Sequence, residues 1–207
     1  MRWRSTDVTE GSLVWAHLDT LLRLVRAARP AVVSIFPRSD PPAIVLTDAS
    51  EISFRTGAIG VVVWCPVASA LYYCSMHVPL EVLLYFAWLA AKNKYICQLE
   101  LLAVSAAYYT FPDILRGRLV HHFVDNRAAM SNMISGYSSK PDSAVLIGTA
   151  QEQILSLQCY PWFGFVCSED NLSDLPSRHE FQLLRKLKAR RRACRLPPLK
   201  GRPGFPM

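Results

Sequence analysis

The chain has 207 residues, 51% of them apolar and 11% aromatic, with a formal net charge of +7 at pH 7. That length and apolar content suit one core-forming domain with appendages and exclude a disordered chain. The longest apolar run, Val82 to Ala91, is half the roughly 20 residues of a membrane helix, and Met1-Arg-Trp-Arg-Ser-Thr-Asp7 lacks the apolar stretch of a signal peptide. An intracellular protein, cytoplasmic or nuclear, neither secreted nor membrane-bound, is expected.

The charge is unevenly placed. From Phe181 to Met207 there are nine Lys or Arg and no acid, which leaves 14 of the 23 basic residues against all 16 acids in residues 1–180. The body is near neutral and the end strongly basic, which points to a polyanion or an acidic surface as partner for that end. The cysteines, at 65, 74, 97, 159, 167 and 194, form no C-x-x-C pair and are expected to be reduced and mostly buried, with no zinc site.

In chain order, Ser12 to Ala28 carries apolar residues at the three-to-four spacing of an amphipathic helix, ended by Pro30. This helix is expected to pack on the outside of the domain or on a missing neighbour. A Pro-containing connector runs to Pro42, so residues 1–40 form a leader to a domain over 41–182, with a basic, disordered tail over 183–207. Ala43-Ile-Val-Leu-Thr-Asp48 reads as a strand that stops on an acid, Gly57 to Trp64 as a second and Ala70 to Met76 as a third. The short links leave no room for helical crossovers, so the three form an antiparallel meander. Glu81 to Ala91 reads as a short apolar helix or loop.

Gln98 to Thr110 is helical by period and is stopped by Pro112; Glu100 shares a face with Ala103, Val104 and Ala107. A fourth strand, Arg118 to Val124, ends on Asp125, as the first ends on Asp48. Asn126 can cap a helix from Arg127 to Ser135, Gly136 and the cluster to Pro141 break it, and Asp142 to Leu157 supplies another. Pro161 to Cys167 is a fifth strand, and a final helix is expected over Ser173 to Leu187 with Asp174 in its first turn.

This order of elements, with acids on the first strand, the first core helix, the end of the fourth strand and the start of the last helix, resembles the ribonuclease H fold. The segments Leu46-Thr-Asp-Ala-Ser50, Gln98-Leu-Glu-Leu-Leu-Ala103, Phe123-Val-Asp-Asn126 and Asn171-Leu-Ser-Asp-Leu-Pro-Ser-Arg178 are similar to those of the ribonuclease H domain attached to retroelement reverse transcriptases. Four blocks in the right order, with the acids 52, 25 and 49 residues apart, are more specific than any one of them. The resemblance implies an α/β fold with a five-stranded mixed sheet, three antiparallel strands then two parallel, flanked by helices. It implies an endonuclease that hydrolyses the RNA strand of RNA/DNA hybrids, with a reverse transcriptase domain in the parent polyprotein.

By the same resemblance Asp48, Glu100, Asp125 and Asp174 are the catalytic and metal-binding residues, holding two Mg2+ ions, or Mn2+. Asp48 would bridge both ions, Glu100 and Asp125 would hold the first, and Asp174 would complete the second. Such chemistry needs carboxylates, because magnesium takes oxygen ligands and an ion pair serves both the attacking and the leaving oxygen of a phosphodiester. Asn171, Arg178, Ser131, Asn132 and Lys140 are candidate substrate contacts. Ser168-Glu169-Asp170 stands where cellular enzymes of this fold generally carry a histidine, and the retroelement subgroup tends to have serine there.

Taken singly, each acid has a bland reading: Asp48 as a turn initiator, Asp125 with Asn126 as a helix cap, Asp174 as a first-turn acid, Glu100 as a solvated helix residue. Asn171 reads equally as a turn residue, Arg178 as an ion-pair partner, Ser131 to Lys140 as a solvated surface, and His121 or His122 as a packed or surface histidine. Two other functions fit the same fold class, a DNA-acting transposase or integrase core and a decayed retroelement remnant that only binds nucleic acid.

Overall fold

The computed structural model describes residues 13–27, 40–53, 56–84 and 95–198. Strands β1 (Ala43–Ser53), β2 (Thr56–Cys65) and β3 (Ala70–His77) form the antiparallel meander, and β4 (Leu119–Val124) and β5 (Tyr160–Phe165) add in parallel on the other side of β1. A sixth strand, β6 (Arg190–Arg191), pairs in parallel with Tyr72 and Tyr73, giving the order β5-β4-β1-β2-β3-β6. The sheet thus has six strands where five are expected.

The helices are α1 (Leu13–Ala27), α2 (Ile96–Thr110), α3 (Pro112–Leu115), α4 (Arg127–Ser135), α5 (Pro141–Leu157), α6 (Asp174–Ser177) and α7 (Gln182–Lys186). Residues 80–84 are also helical; the rest of the apolar stretch read over Glu81 to Ala91 lies outside the described residues, as does most of the proline connector. Helix α2 is apolar on nearly every side, with Leu99, Leu101, Leu102, Val104 and Tyr108 fully buried, because it is packed between the sheet and α5. A smaller cluster of Val62, Tyr73 and Leu184, flanked by Leu46, Leu172 and Phe181, fills the opposite sheet face.

Helix α1 docks on α5: Thr20 sits against Gly148, where a Cβ would come within 2.5 Å of Thr20 Cγ2, and Arg23 pairs with Glu152 at 2.7 Å. No helix among the described residues is long and apolar enough to cross a membrane.

Three further expectations are corrected. Asp48 does not end β1. The strand runs five residues further because β2 keeps pairing with it, from Asp48 opposite Gly60 to Ser53 opposite Thr56, whereas β4 leaves it after Thr47 opposite Val124. The polar residues after Asp48 are therefore held in a ladder.

The single helix expected over Ser173 to Leu187 is two short ones. After α6 the Glu180 N–H donates to the Leu175 carbonyl and the His179 N–H to that of Pro176; after α7 Ala189 donates to Leu184 and Lys188 to Arg185. These are paired Schellman caps, with His179 (φ 59°) and Lys188 (φ 54°) in the left-handed conformation where glycine is usual.

The basic tail, expected to be disordered from residue 183, instead contributes α7 and β6. Leu184 is buried, and Cys194 and Leu196 pack on the main core. Arg192 makes a two-pronged bond to Asp113, Nη1 to Oδ1 at 2.5 Å and Nη2 to Oδ2 at 2.9 Å. Apolar residues spaced among the cations give the segment a side to bury.

Candidate metal centre

The separation of β4 from β1 builds the site. Where two parallel strands part at their carboxyl ends a crevice opens, and the next residues on each strand are Asp48 and Asp125. Glu100, in the second turn of α2, reaches the same point. One carboxylate oxygen from each of Asp48, Glu100 and Asp125 lies within 4.8 Å of the other two.

Asp48 is 4% and Glu100 3% exposed, while Asp125 is half-buried. Glu100 Oε2 is buried with no hydrogen-bond partner. Burial, then repulsion from Asp125 and Asp174, pushes the Asp48 carboxyl up to about 7 against the opposing bond from Ser177. Glu100 is raised well above the usual carboxylate range by burial first, then by Asp125 and Asp48.

Three converging acids, one of which has a buried oxygen without a hydrogen-bond partner, fit a hard divalent cation that takes oxygen ligands. The set offers no sulfur or imidazole, so a thiophilic metal is a poor match.

The electrostatics give a signed prediction. Asp48 ionises near 3.8 in the unfolded chain and at about 7 in the folded, metal-free protein. Between those values the folded state holds a proton that the unfolded state has lost. Metal-free stability from this group is therefore greatest at the acid end of the window and falls as pH rises through it. A cation competes with those protons, so millimolar Mg2+ or Mn2+ is expected to raise Tm more at pH 8 than at pH 5 in a thermal-shift titration. Equal shifts at both pH values would contradict the assignment.

A tight turn closes the site from the open sheet face. Gly60, opposite Asp48, is what admits it, since a Cβ there would lie 2.4 Å from the Ser177 nitrogen and 2.5 Å from the Ser173 carbonyl oxygen. Ser177 Oγ donates to Asp48 Oδ2. Ser50 Oγ donates to the Ser177 carbonyl at 2.9 Å and Ser75 Oγ to the Pro176 carbonyl at 2.7 Å, so bonds from β1 and β3 hold α6 in place.

Asn171 is part of this bracing. It is 3% exposed, its Nδ2 donates to the Thr47 carbonyl at 3.1 Å, and its Oδ1 accepts from Ser173 Oγ at 2.5 Å. Of the two readings open for Asn171, the turn-holding one describes its contacts; its amide is turned into the protein.

The structure brings three of the four acids together. Asp174 stands beside the cluster, near enough to raise Asp48, but its Oδ1 accepts from Arg178 Nε at 2.7 Å and it is not among the converging oxygens. Arg178 is thereby ion-paired while most of its side chain stays exposed. Ser131 and Asn132 lie on α4, the helix that starts beside Asp125 and is capped by the Asn126 side chain; Ser131 is exposed and Asn132 half-buried. Lys140 is exposed at the start of α5.

No family model and no curated protein matches the sequence. Among solved structures it is similar to ribonuclease H1 from the halophilic archaeon Halobacterium salinarum NRC-1, with a TM-score of 0.48 and 13% identity over 68% of this chain and 98% of that one. The N-terminal ribonuclease H domain of Rv2228c from Mycobacterium tuberculosis gives 0.44 and 15%, covering 70% and 96%. LC9-RNase H1, a type 1 ribonuclease H with the type 2 active-site motif, gives 0.45 and 14%, covering 81% and 82%. By its own strand order and directions, the fold is a mixed α/β sheet, an antiparallel meander of three strands extended by two parallel ones and flanked by helices.

Further residues surround the acids. Ser168 Oγ donates to Asp125 Oδ2 at 3.1 Å. Arg127 lays its guanidinium on the Phe165 ring at 4.1 Å, just past Asp125. Behind β1, buried His122 bridges Thr47 Oγ1 and the Tyr108 hydroxyl, each at 3.0 Å, and burial pushes its pKa down to about 3, so it is a neutral packed residue. Ser177 lies within the P-S-R motif; Gly60 is marked only as a glycine in a valine-rich strand, the usual sign of a close backbone approach.

Proposed function

We propose that the protein is a divalent-metal-dependent endonuclease that hydrolyses the RNA strand of RNA/DNA hybrids, acting beside a reverse transcriptase domain in a retrotransposon polyprotein. The observation that carries this reading is the convergence of Asp48, Glu100 and Asp125 within 4.8 Å at the parting of two parallel strands, with a buried Glu100 oxygen left unpartnered. The retroelement assignment is supported by the run Asn171-Leu-Ser-Asp-Leu-Pro-Ser-Arg178 and by Ser168 in its place.

When bound, Mg2+ or Mn2+ supplies an activated water and charge neutralisation of the leaving oxygen. Asp48, Glu100 and Asp125 would hold it, and Asp174 would add its carboxylate for a second ion once free of Arg178. Asp48 contributes only when ionised, and the Ser177 hydroxyl favours that form by donating to it. Arg178, released from Asp174, would meet a phosphate. Sequence preference is expected to be low, because a hybrid is read by shape and by its 2′-hydroxyls.

The test uses end-labelled RNA/DNA hybrid, double-stranded RNA and double-stranded DNA of one sequence, incubated with Mg2+ and with Mn2+. Cutting confined to the RNA of the hybrid is expected. Equal cutting of duplex DNA would instead assign a DNA-acting enzyme of this fold, and binding without any cutting a non-catalytic module.

A further inference from the structure

The described part of the basic end, residues 181–198, lies against the sheet. Arg185, Lys186, Lys188, Arg190 and Arg191 fall within seven residues that hold no acid, and all are exposed. None is ion-paired among the described residues, whereas neighbouring Arg192 is matched by Asp113. Like charges this close repel one another unless an anion neutralises them.

Strand register says which cations face the site. Leu46, Val62, Tyr73 and Arg191 form one row across the sheet, and Asp48, Gly60 and Ser75 the next row on the same face. Arg191 therefore shares the sheet face of Asp48, while Arg190, one residue earlier, lies over the Tyr72 ring on the opposite face. Three strand spacings across and two residues along put Arg191 about 16 Å from Asp48.

A depression lined by Leu175, His179, Phe181, Arg185 and Lys186 begins at the turn that carries Asp174, with Glu180 the one acid among its lining residues. The Arg191 guanidinium lies over the Phe181 ring at 5.2 Å, and that ring packs on Tyr73. The cation is held in place rather than swinging on a loose tail.

We infer that the α7–β6 edge, through Arg185, Lys186, Lys188 and Arg191, is a second contact surface for the phosphodiester backbone of the duplex whose scissile bond lies at Asp48. The inference rests on the nuclease reading of the acid cluster and adds a footprint to it. At about 3.4 Å of rise per base pair, 16 Å corresponds to phosphates about five base pairs from the cut. The contact is to phosphates alone, so it positions the duplex without reading sequence.

The experiment measures binding by fluorescence anisotropy with the full chain carrying Asp125→Asn, so that substrate stays intact, in Mg2+ over a series of KCl concentrations. Hybrids of 6 and 16 base pairs are compared. On the longer hybrid, Arg191→Gln and Lys188→Gly are each expected to weaken binding several-fold and to lower the log–log salt slope by about 1. Lys188→Gly also separates charge from folding, because glycine suits the left-handed backbone there and Tm should not fall.

Arg190→Gln, on the other face, should leave the slope unchanged, and on the 6-base-pair hybrid none of the three should differ from the parent. An unchanged slope for both Arg191→Gln and Lys188→Gly on the long hybrid, or an equal loss on the short one, overturns the inference while leaving the nuclease reading intact. Failure of that reading shows separately, as absence of hybrid cleavage by the wild-type chain.

Discussion

Asp48→Asn is expected to abolish metal-dependent cleavage of a hybrid, by about three orders of magnitude or more, while making the metal-free protein more stable at pH 8. The first effect follows from losing a ligand oxygen to a cation that contributes several kcal/mol to transition-state charge. The second follows from burial. Asp48 ionises at about 7 in the folded protein against 3.8 for the free side chain, so at pH 8 folding carries the cost of a buried negative charge next to Asp125 and Glu100. An amide removes that charge and keeps a hydrogen-bonding group for Ser177, a gain on the order of a few kcal/mol. Denaturant unfolding in chelator should show the gain at pH 8 and show it shrinking toward pH 4, where the wild-type carboxyl is protonated in the folded state. A merely structural Asp48 would give the opposite sign, with Asn destabilising at every pH.

Gly60→Ala should be nearly as damaging although it changes no reactive group. Its Cβ would have to occupy space 2.4 Å from the Ser177 nitrogen and 2.5 Å from the Ser173 oxygen, both backbone atoms of the turn that carries Asp174. The turn must lift off β2, straining its bonds from Ser50 and Ser75 and drawing Ser177 away from Asp48. Overpacking of this kind costs about 1–3 kcal/mol, and a displacement of about 1 Å at a catalytic set costs on the order of 100-fold in rate. Urea unfolding and the hybrid assay measure the two effects. Wild-type cleavage by Gly60→Ala would show that the position of the turn does not matter to the chemistry.

The parts of the fold written in short-range pattern were legible from the residues. The valine-rich meander, the all-apolar α2, the Asn126 cap and the left-handed Gly136 follow from periodicity and local backbone preference. The acids Asp48, Glu100 and Asp125 stood out because each occupies a position at which the apolar pattern gives way.

What escaped depends on contacts between distant parts of the chain. Asp48 looks terminal in sequence because the residues after it are polar, yet β2 carries β1 onward. His179 and Lys188 end helices without the glycine that would announce it. The cations of the tail mask the buried Leu184 and the partly buried Leu196, which draw α7 and β6 into the fold. For Arg178 as an ion-pair partner and Asn171 as a turn residue, readings the sequence left open beside substrate contact, it is tertiary contacts that show the pairing with Asp174 and the inward turn of the amide.

The central claim is that Asp48, Glu100 and Asp125 together form a divalent-cation centre. Crystals of the full chain soaked in Mn2+, with data collected at the manganese edge, test it without reference to activity. Anomalous density bonded to carboxylate oxygens of all three residues, and lost in Asp48→Asn, is the expected result. Bound Mn2+ elsewhere, with the three carboxylates protonated and hydrogen-bonded to one another at pH 8, would contradict it.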